Sequence, residues 1–146
     1  MSTIHASAVL IGAHAVLIRG ASGAGKSQLA WQLVGAAPAH IPFARLVADD
    51  RAFVEAHHGR LVVRAAPEVA GLIEVRGLGI RRLPHEPCAV VGLVVDLAAA
   101  DADRLPPREA LATTILGVTL PRLALAPSQP ALPALLAMIH TAAAGD

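Results

Sequence analysis

The strongest chemical signal in this sequence is the run Gly20-Ala21-Ser22-Gly23-Ala24-Gly25-Lys26-Ser27, which matches the pattern G-x-x-x-x-G-K-S in full. Glycines at these spacings let successive backbone N–H groups turn inward around phosphate oxygens. A helix that starts at the end of the loop adds the positive end of its dipole. In such a site the lysine neutralises the outer phosphates of a nucleotide and the serine hydroxyl ligates Mg²⁺. Lys26 is the only lysine in the chain, which sets it apart from an ordinary solvated charge. The plainer alternative is a glycine-rich turn that happens to end in Lys-Ser. The flanking elements weigh against it, because an apolar run precedes the loop and a helical pattern comes after it.

Phosphoryl chemistry of this kind also needs an acidic residue at the end of a buried strand to help hold Mg²⁺. Two places qualify. Asp96 follows Val90-Val91-Gly92-Leu93-Val94-Val95, and Asp49-Asp50 follows Arg45-Leu46-Val47-Ala48. Asp96 has an ordinary alternative as a strand-end or turn residue. The adjacent carboxylates of Asp49 and Asp50 repel one another unless a cation or hydrogen-bond donors stand nearby, so that pair points to function. His14, His57, His58 and His85 lack metal-ligand spacing and read as structural or surface residues. The lone cysteine, Cys88, excludes an intrachain disulfide and any multi-cysteine metal site.

The elements that must position these residues are legible in the apolar pattern. Ala8 to Ile11 and Ala15 to Ile18 read as strands joined by a tight turn at Gly12-Ala13-His14. Gln28 to Val34 reads as a helix ending at Gly35, and Ala36 to Phe43, with Pro38 and Pro42, as a loop. Arg45 to Ala48 reads as a buried strand. Ala52 to Ala56 and Leu61 to Val63 form a hairpin around His57-His58-Gly59. Ile73 to Ile80 mixes strand character with two glycines, and Ala89 to Leu97 is a buried strand. Ala98 to Arg108 reads as loop, Val118 to Ala126 as a strand interrupted by Pro121, and Ala131 to Ala144 as a helix with Leu132, Leu135, Leu136 and Ile139 on its apolar side. The pattern is α/β with more strands than helices.

Composition bounds the rest. The chain has 146 residues, of which 55% are apolar, 16% charged and 2% aromatic. That is one domain's length, 1–146, with a core of Ala, Val, Leu and Ile, and it argues against disorder. A formal net charge of +1 gives no bias toward nucleic acid. No apolar stretch approaches a membrane span, and Met1-Ser2-Thr3-Ile4-His5 lacks the basic region of a signal peptide. The expectation is a soluble cytoplasmic protein with no nucleic acid or membrane partner.

Several segments together resemble the bacterial HPr kinase/phosphorylase family, in its C-terminal catalytic domain. They are Ile4-His5, the glycine-rich loop, Leu46-Val47-Ala48-Asp49-Asp50 and Ile73-Glu74-Val75-Arg76-Gly77-Leu78-Gly79-Ile80. The last is the most specific. The resemblance runs from His5 to about Leu125 and implies a phosphate-loop-containing, strand-rich mixed sheet with flanking helices, in the HPr kinase/PEP carboxykinase-like class. It implies ATP and Mg²⁺ as cofactors and a serine of the phosphocarrier HPr, or of a nitrogen-branch relative, as acceptor. It implies ATP binding by Gly20 to Ser27, Mg²⁺ ligation by Ser27 and Glu74, and proton acceptance by Asp50. His5 and Lys26 match its other active-site positions, with His5 fifteen residues before Gly20. Arg104, in Asp103-Arg104-Leu105, matches a catalytic arginine that stabilises charge on the transferring group. Asp49, Arg76, Gly77 and Gly79 complete the expected site, the glycines permitting close backbone approach to a ligand. Long family members form hexamers, which implies a homo-oligomer here.

Each of these has a plainer alternative: His5 as a frayed terminal residue, Arg76 paired with Glu74 or Glu86, and Arg104 as a solvated loop charge. The sequence also departs from the family. It begins almost at His5, like the short, catalytic-domain-only forms. The Gly35 to Ala44 loop is longer, and Asp101 to Arg108 is compressed. Ala126-Pro127-Ser128-Gln129-Pro130-Ala131 has no arginine or lysine where the family carries a basic segment associated with dephosphorylation. Inorganic phosphate as a nucleophile wants extra positive charge, so kinase activity is expected to dominate and phosphorylase activity to be weak or absent. A small-molecule kinase of the same fold and a nucleotide-sensing module are the competing readings.

Overall fold

The computed structural model describes residues 2–144; Met1, Gly145 and Asp146, the ends of the expected 1–146 domain, lie outside the described residues. In chain order the elements are β1 (Ser2–Ile4), β2 (Ala6–Ile11), β3 (His14–Arg19), α1 (Lys26–Gly35), β4 (Ala44–Ala48), β5 (Ala52–His57), β6 (Arg60–Arg64), β7 (Leu72–Val75), β8 (Gly79–Arg82), β9 (Cys88–Asp96), β10 (Ala112–Ile115), β11 (Val118–Ala124) and α2 (Ala131–His140).

Nine of the strands form one sheet in the order β1-β5-β6-β9-β3-β2-β4, with β11 also pairing β9 and β10 outermost on that side. β9 organises the sheet. It runs parallel to β3 along most of its length. Its first part pairs antiparallel with β6 up to Val90, and its last part pairs parallel with β11 from Val94 onward. The sheet therefore divides along β9, and its two halves curl over a shared core. Continuous apolar runs such as Ala15 to Ile18 result from burial on both faces. Ala15 and Leu17 enter the core within the curled sheet, while Val16 and Ile18 enter a second core beneath the helices. Leu29, Ala30 and Leu33 of α1 and Leu135 of α2 close that second core.

This is the α/β, strand-rich mixed sheet with flanking helices that the sequence implies. Several details differ. Ser2–Ile4 and Ala112–Ile115 are short edge strands with weak patterns of their own. The Ile73 to Ile80 region is a separate hairpin of β7 and β8. β11 runs through Pro121, because its pairing with β9 begins one residue later at Arg122. α2 ends at His140 rather than Ala144, and Ile139 is 37% exposed rather than packed. No helix among the described residues is long and apolar enough to cross a membrane.

Candidate functional site

The glycine-rich loop connects the end of β3 to the start of α1. Gly20 is needed for close packing: a Cβ there would stand 3.1 Å from the Ala24 Cβ and 3.3 Å from the Leu97 Cβ. Gly25 is needed for its backbone, because φ of +103° lies in the left-handed region. Lys26 and Ser27 are the first residues of α1, whose first turn carries no acidic side chain to oppose an incoming anion. Lys26 is buried, and its ammonium donates to the Gly20 carbonyl at 2.8 Å and the Ala21 carbonyl at 3.3 Å.

The acidic pair reaches this loop through an irregularity in β4. Ala8 of β2 stands opposite Ala48, but Val9 stands opposite Leu46, so Val47 is an extra residue. Such a bulge bends the strand and re-aims the residues beyond it. The Asp49 carboxylate then lies among donors. Its Oδ1 accepts from Ser27 Oγ at 2.6 Å and from Ser7 Oγ at 3.0 Å, and its Oδ2 accepts from the Glu74 N–H at 3.2 Å. Asp50 turns the other way. Its φ is +61°, a left-handed conformation that a non-glycine residue rarely adopts. Its carboxylate is exposed, 3.7 Å from the Lys26 ammonium. The repulsion expected between the two carboxylates is relieved by donors at Asp49 and a cation at Asp50. The Asp50 carbonyl accepts from the Ala6 N–H at 3.1 Å, which brings the adjacent His5 to the same turn.

A cavity of about 560 Å³ opens over these groups, and Lys26, Ser27, Asp49, Asp50, Glu74 and Arg76 line it together with Trp31 of α1. Among the described residues no cluster of three or more His, Cys, Asp or Glu side chains forms a metal cage. The donor set of Ser27, Asp49 and Glu74 is nevertheless of the hard-oxygen type that suits Mg²⁺, which keeps several waters and shares phosphate oxygens. Arg76 is part of this lining; Glu86, its possible partner, pairs instead with Arg45 at 3.3 Å. Gly77 and Gly79 have φ of +88° and +91°, so the β7–β8 turn itself requires them. Arg104 lies in the exposed segment before β10, is not part of the cavity lining, and has no hydrogen bond or ion pair among the described residues. The cations facing the cavity are Lys26 and Arg76.

Asp96 has a different task. Arg19 meets it in a two-bond fork at 2.7 and 2.8 Å, and Arg122 donates from the other side at 2.5 Å. Arg122 also holds Asp101 at 2.8 and 2.9 Å. Burial raises the Asp96 pKa, but the hydrogen bonds and charges of the two arginines outweigh it and hold the carboxyl below its ordinary value. The bond to Arg122 likewise lowers Asp101, and Asp101 and Asp96 together raise Arg122. These bonds staple β3, β9 and β11 together beneath the loop.

A second cavity of about 480 Å³ also borders the α1 N-terminus. Gly25 and Gln28 border both cavities. Leu97, Ala98, Ala126 and Pro130 supply its apolar walls, and Gln32 and Gln129 supply side-chain amides. Sequence reasoning passed over these glutamines, over Trp31 and over Ser7. Only Ser7 carried a signal, a hydroxyl in the otherwise apolar run Ala6–Ile11.

Fold and site together define a mixed α/β domain whose glycine-rich strand-to-helix loop meets an acidic pair. The chain belongs to the HPr Serine kinase C-terminal domain family, whose sequence model matches residues 1–143. It is similar to the HPr kinase/phosphorylase of Geobacillus thermodenitrificans, at 34% identity over 136 residues, covering 84% of this chain and 41% of the relative. It is also similar to that of Lacticaseibacillus casei, at 46% identity over 66 residues, covering 44% of this chain and 19% of the relative. The chain thus spans less than half the length of these curated relatives. Among solved structures it resembles the Hpr(Ser) kinase/phosphatase from Coxiella burnetii, with a TM-score of 0.75, 26% identity, and coverage of 95% of this chain and 93% of that one.

Proposed function

We propose that this chain transfers the γ-phosphoryl group of ATP, in the presence of Mg²⁺, to a serine of an HPr-like phosphocarrier protein, acting as a single catalytic unit in the cytoplasm. The observation that carries the reading is the convergence of Lys26, Ser27, Asp49, Asp50 and Glu74 on one cavity at the start of α1. A serine hydroxyl is a poor nucleophile, so a carboxylate must take its proton as the new O–P bond forms. Asp50 is the exposed member of the acidic pair and serves as that acceptor. As the serine oxygen bonds to the γ-phosphorus, the bond from that phosphorus to the bridging oxygen breaks and ADP leaves. Lys26 and the loop N–H groups hold the outer phosphates, and Arg76 adds charge on the acceptor side. Ser27 and Glu74, with Asp49 behind them, would hold Mg²⁺, which when bound neutralises charge on the β- and γ-phosphates. His5 is exposed and outside the cavity lining; we assign it to the incoming serine segment because its neighbour Ala6 bonds the Asp50 carbonyl.

The second cavity supports a nucleotide rather than a bare polyphosphate as donor. Its apolar walls and side-chain amides suit a planar base, and it meets the first cavity at Gly25 and Gln28. We assign the reverse, phosphate-dependent reaction a minor role. Residues 126–131 bring no cation to either cavity, and inorganic phosphate would have only Lys26 and Arg76 to hold it.

Intact-mass analysis of HPr incubated with this protein, ATP and Mg²⁺ tests the reading. One added phosphate on a serine, lost with Asp50→Asn, is expected. No addition while ATP still binds would overturn it in favour of a sensor or a small-molecule kinase. Rapid phosphate-dependent release of pyrophosphate from serine-phosphorylated HPr would overturn the minor role of the reverse reaction.

A further inference from the structure

Ser7 is a buried hydroxyl without a task in the chemistry above. Its side chain is 0% exposed, in an apolar strand between Ala6 and Ala8, which are equally buried. A hydroxyl in such surroundings costs free energy unless it is fully hydrogen-bonded, and an apolar residue would fill β2 without that cost. Both bonds of Ser7 go to the acidic pair. Its Oγ donates to Asp49 Oδ1 at 3.0 Å and accepts from the Asp50 N–H at 3.0 Å.

Those two bonds fall where the backbone most needs them. The regular pairing of β4 with β2 ends at Ala8–Ala48; beyond it the Ala6 N–H still bonds the Asp50 carbonyl, but the Asp50 N–H takes its acceptor from a side chain, the Ser7 hydroxyl. Asp50 is then held with φ of +61°, and its N–H points back into the protein. An inward N–H without an acceptor is costly, and a left-handed aspartate relaxes unless its surroundings hold it. Asp49 Oδ1 also links Ser7 to Ser27, whose hydroxyl it accepts at 2.6 Å.

We propose that Ser7 is a positioning residue: one buried hydroxyl turns Asp49 toward Ser27 and locks the Asp50 backbone in the conformation that presents its carboxylate beside Lys26. The inference rests on the reading of Asp50 as proton acceptor for its effect on turnover, but the positioning itself is independent of that reading.

The test compares wild type, Ser7→Ala and Ser7→Thr by two readouts. The first is hydrogen exchange of the Asp50 amide, taken relative to the Leu17 amide of the core so that any global loss of stability cancels. The second is kcat and KM for ATP in phosphorylation of HPr. In Ser7→Ala the Asp50 amide is expected to exchange at least about 100-fold faster relative to Leu17. Its kcat is expected to fall by about 10- to 100-fold, the usual effect of a small misplacement of a catalytic group, with KM for ATP within about threefold. Ser7→Thr, which keeps the hydroxyl, restores both. Unchanged Asp50 exchange in Ser7→Ala overturns the positioning role, whatever happens to kcat. Faster exchange with unchanged kcat overturns its link to turnover. If the wild type phosphorylates no HPr, the functional reading fails, and the exchange comparison alone decides the role of Ser7.

Discussion

Lys26 and Asp50 form an ion pair at 3.7 Å in which the cation is buried and the carboxylate exposed, with side-chain exposures of 5% and 66%. The asymmetry separates two tasks. The ammonium is held by the loop carbonyls of Gly20 and Ala21, and in the proposed reading it serves the phosphates. The carboxylate is free to meet a second substrate. Asp50→Asn keeps the size of the side chain and removes its basicity. Turnover is expected to fall by at least about 100-fold, as for loss of a general base. ATP affinity, measured by equilibrium binding, is expected to stay within a few-fold. Lys26→Ala should do the opposite first, abolishing measurable ATP binding. If Asp50→Asn lost binding as severely as Lys26→Ala, the division of labour would be wrong.

The hydroxyl of Ser27 donates to Asp49 at 2.6 Å, so a metal that takes Ser27 Oγ as ligand finds an oriented oxygen with a carboxylate behind it. Supporting groups of this kind are commonly worth about 10- to 100-fold in metal affinity. Titration of Mg²⁺ at fixed ATP is therefore expected to require at least about tenfold more metal in both Ser27→Ala and Asp49→Ala. An unchanged titration in Asp49→Ala would remove that residue from the metal site.

Asp96 bears on stability rather than on catalysis. Its folded-state pKa lies below the ordinary value of 3.8, so the unfolded chain binds its proton first as pH falls. The stability it contributes is complete above that ordinary value and is lost as pH drops through the lower folded value. In Asp96→Asn the arginines Arg19 and Arg122 lose their shared counter-charge. Removing one member of such a network costs about 3 kcal/mol at neutral pH. Denaturant unfolding from pH 7 down to pH 2 should show the variant less stable at neutrality and with a flatter acid limb than wild type. Parallel curves would show that Asp96 does not carry the acid dependence.

The contrast between Asp96 and Asp49-Asp50 shows how far the sequence was legible. Both stand at the ends of buried strands, and the chain pattern alone does not separate them. The difference lies in the company brought by distant strands: Arg19 and Arg122 at Asp96, and Ser7, Ser27 and the Glu74 N–H at Asp49. The long strands were readable as unbroken apolar runs buried on both faces, and α1 because Leu29, Ala30 and Leu33 are buried at helical spacing. β1 and β10 were not, since short edge strands take their conformation from a partner. The bulge at Val47 left no local trace, because it exists only in the register between β2 and β4. The second cavity was unreadable for a similar reason. Its walls come from α1, the turn after β9 and the segment before α2, and none of these is distinctive alone.

If that second cavity takes the nucleoside, filling it should weaken ATP binding without touching a ligand that has only the phosphates. Ala131 stands on the cavity wall at the start of α2, and Gln32 contributes an amide from α1. Ala131→Trp would occupy the space meant for a base, and Gln32→Ala would remove a polar contact. Both leave the Gly20 to Ser27 loop intact. Calorimetric titration is expected to show ATP affinity reduced by about tenfold or more in Ala131→Trp, equivalent to about 1.4 kcal/mol, and by a smaller factor in Gln32→Ala. Tripolyphosphate, which carries the same phosphate chain without a nucleoside, should bind all three proteins alike. Equal losses for ATP and tripolyphosphate would show that the substitutions disturb the loop. Unchanged ATP affinity in Ala131→Trp would show that the base lies elsewhere.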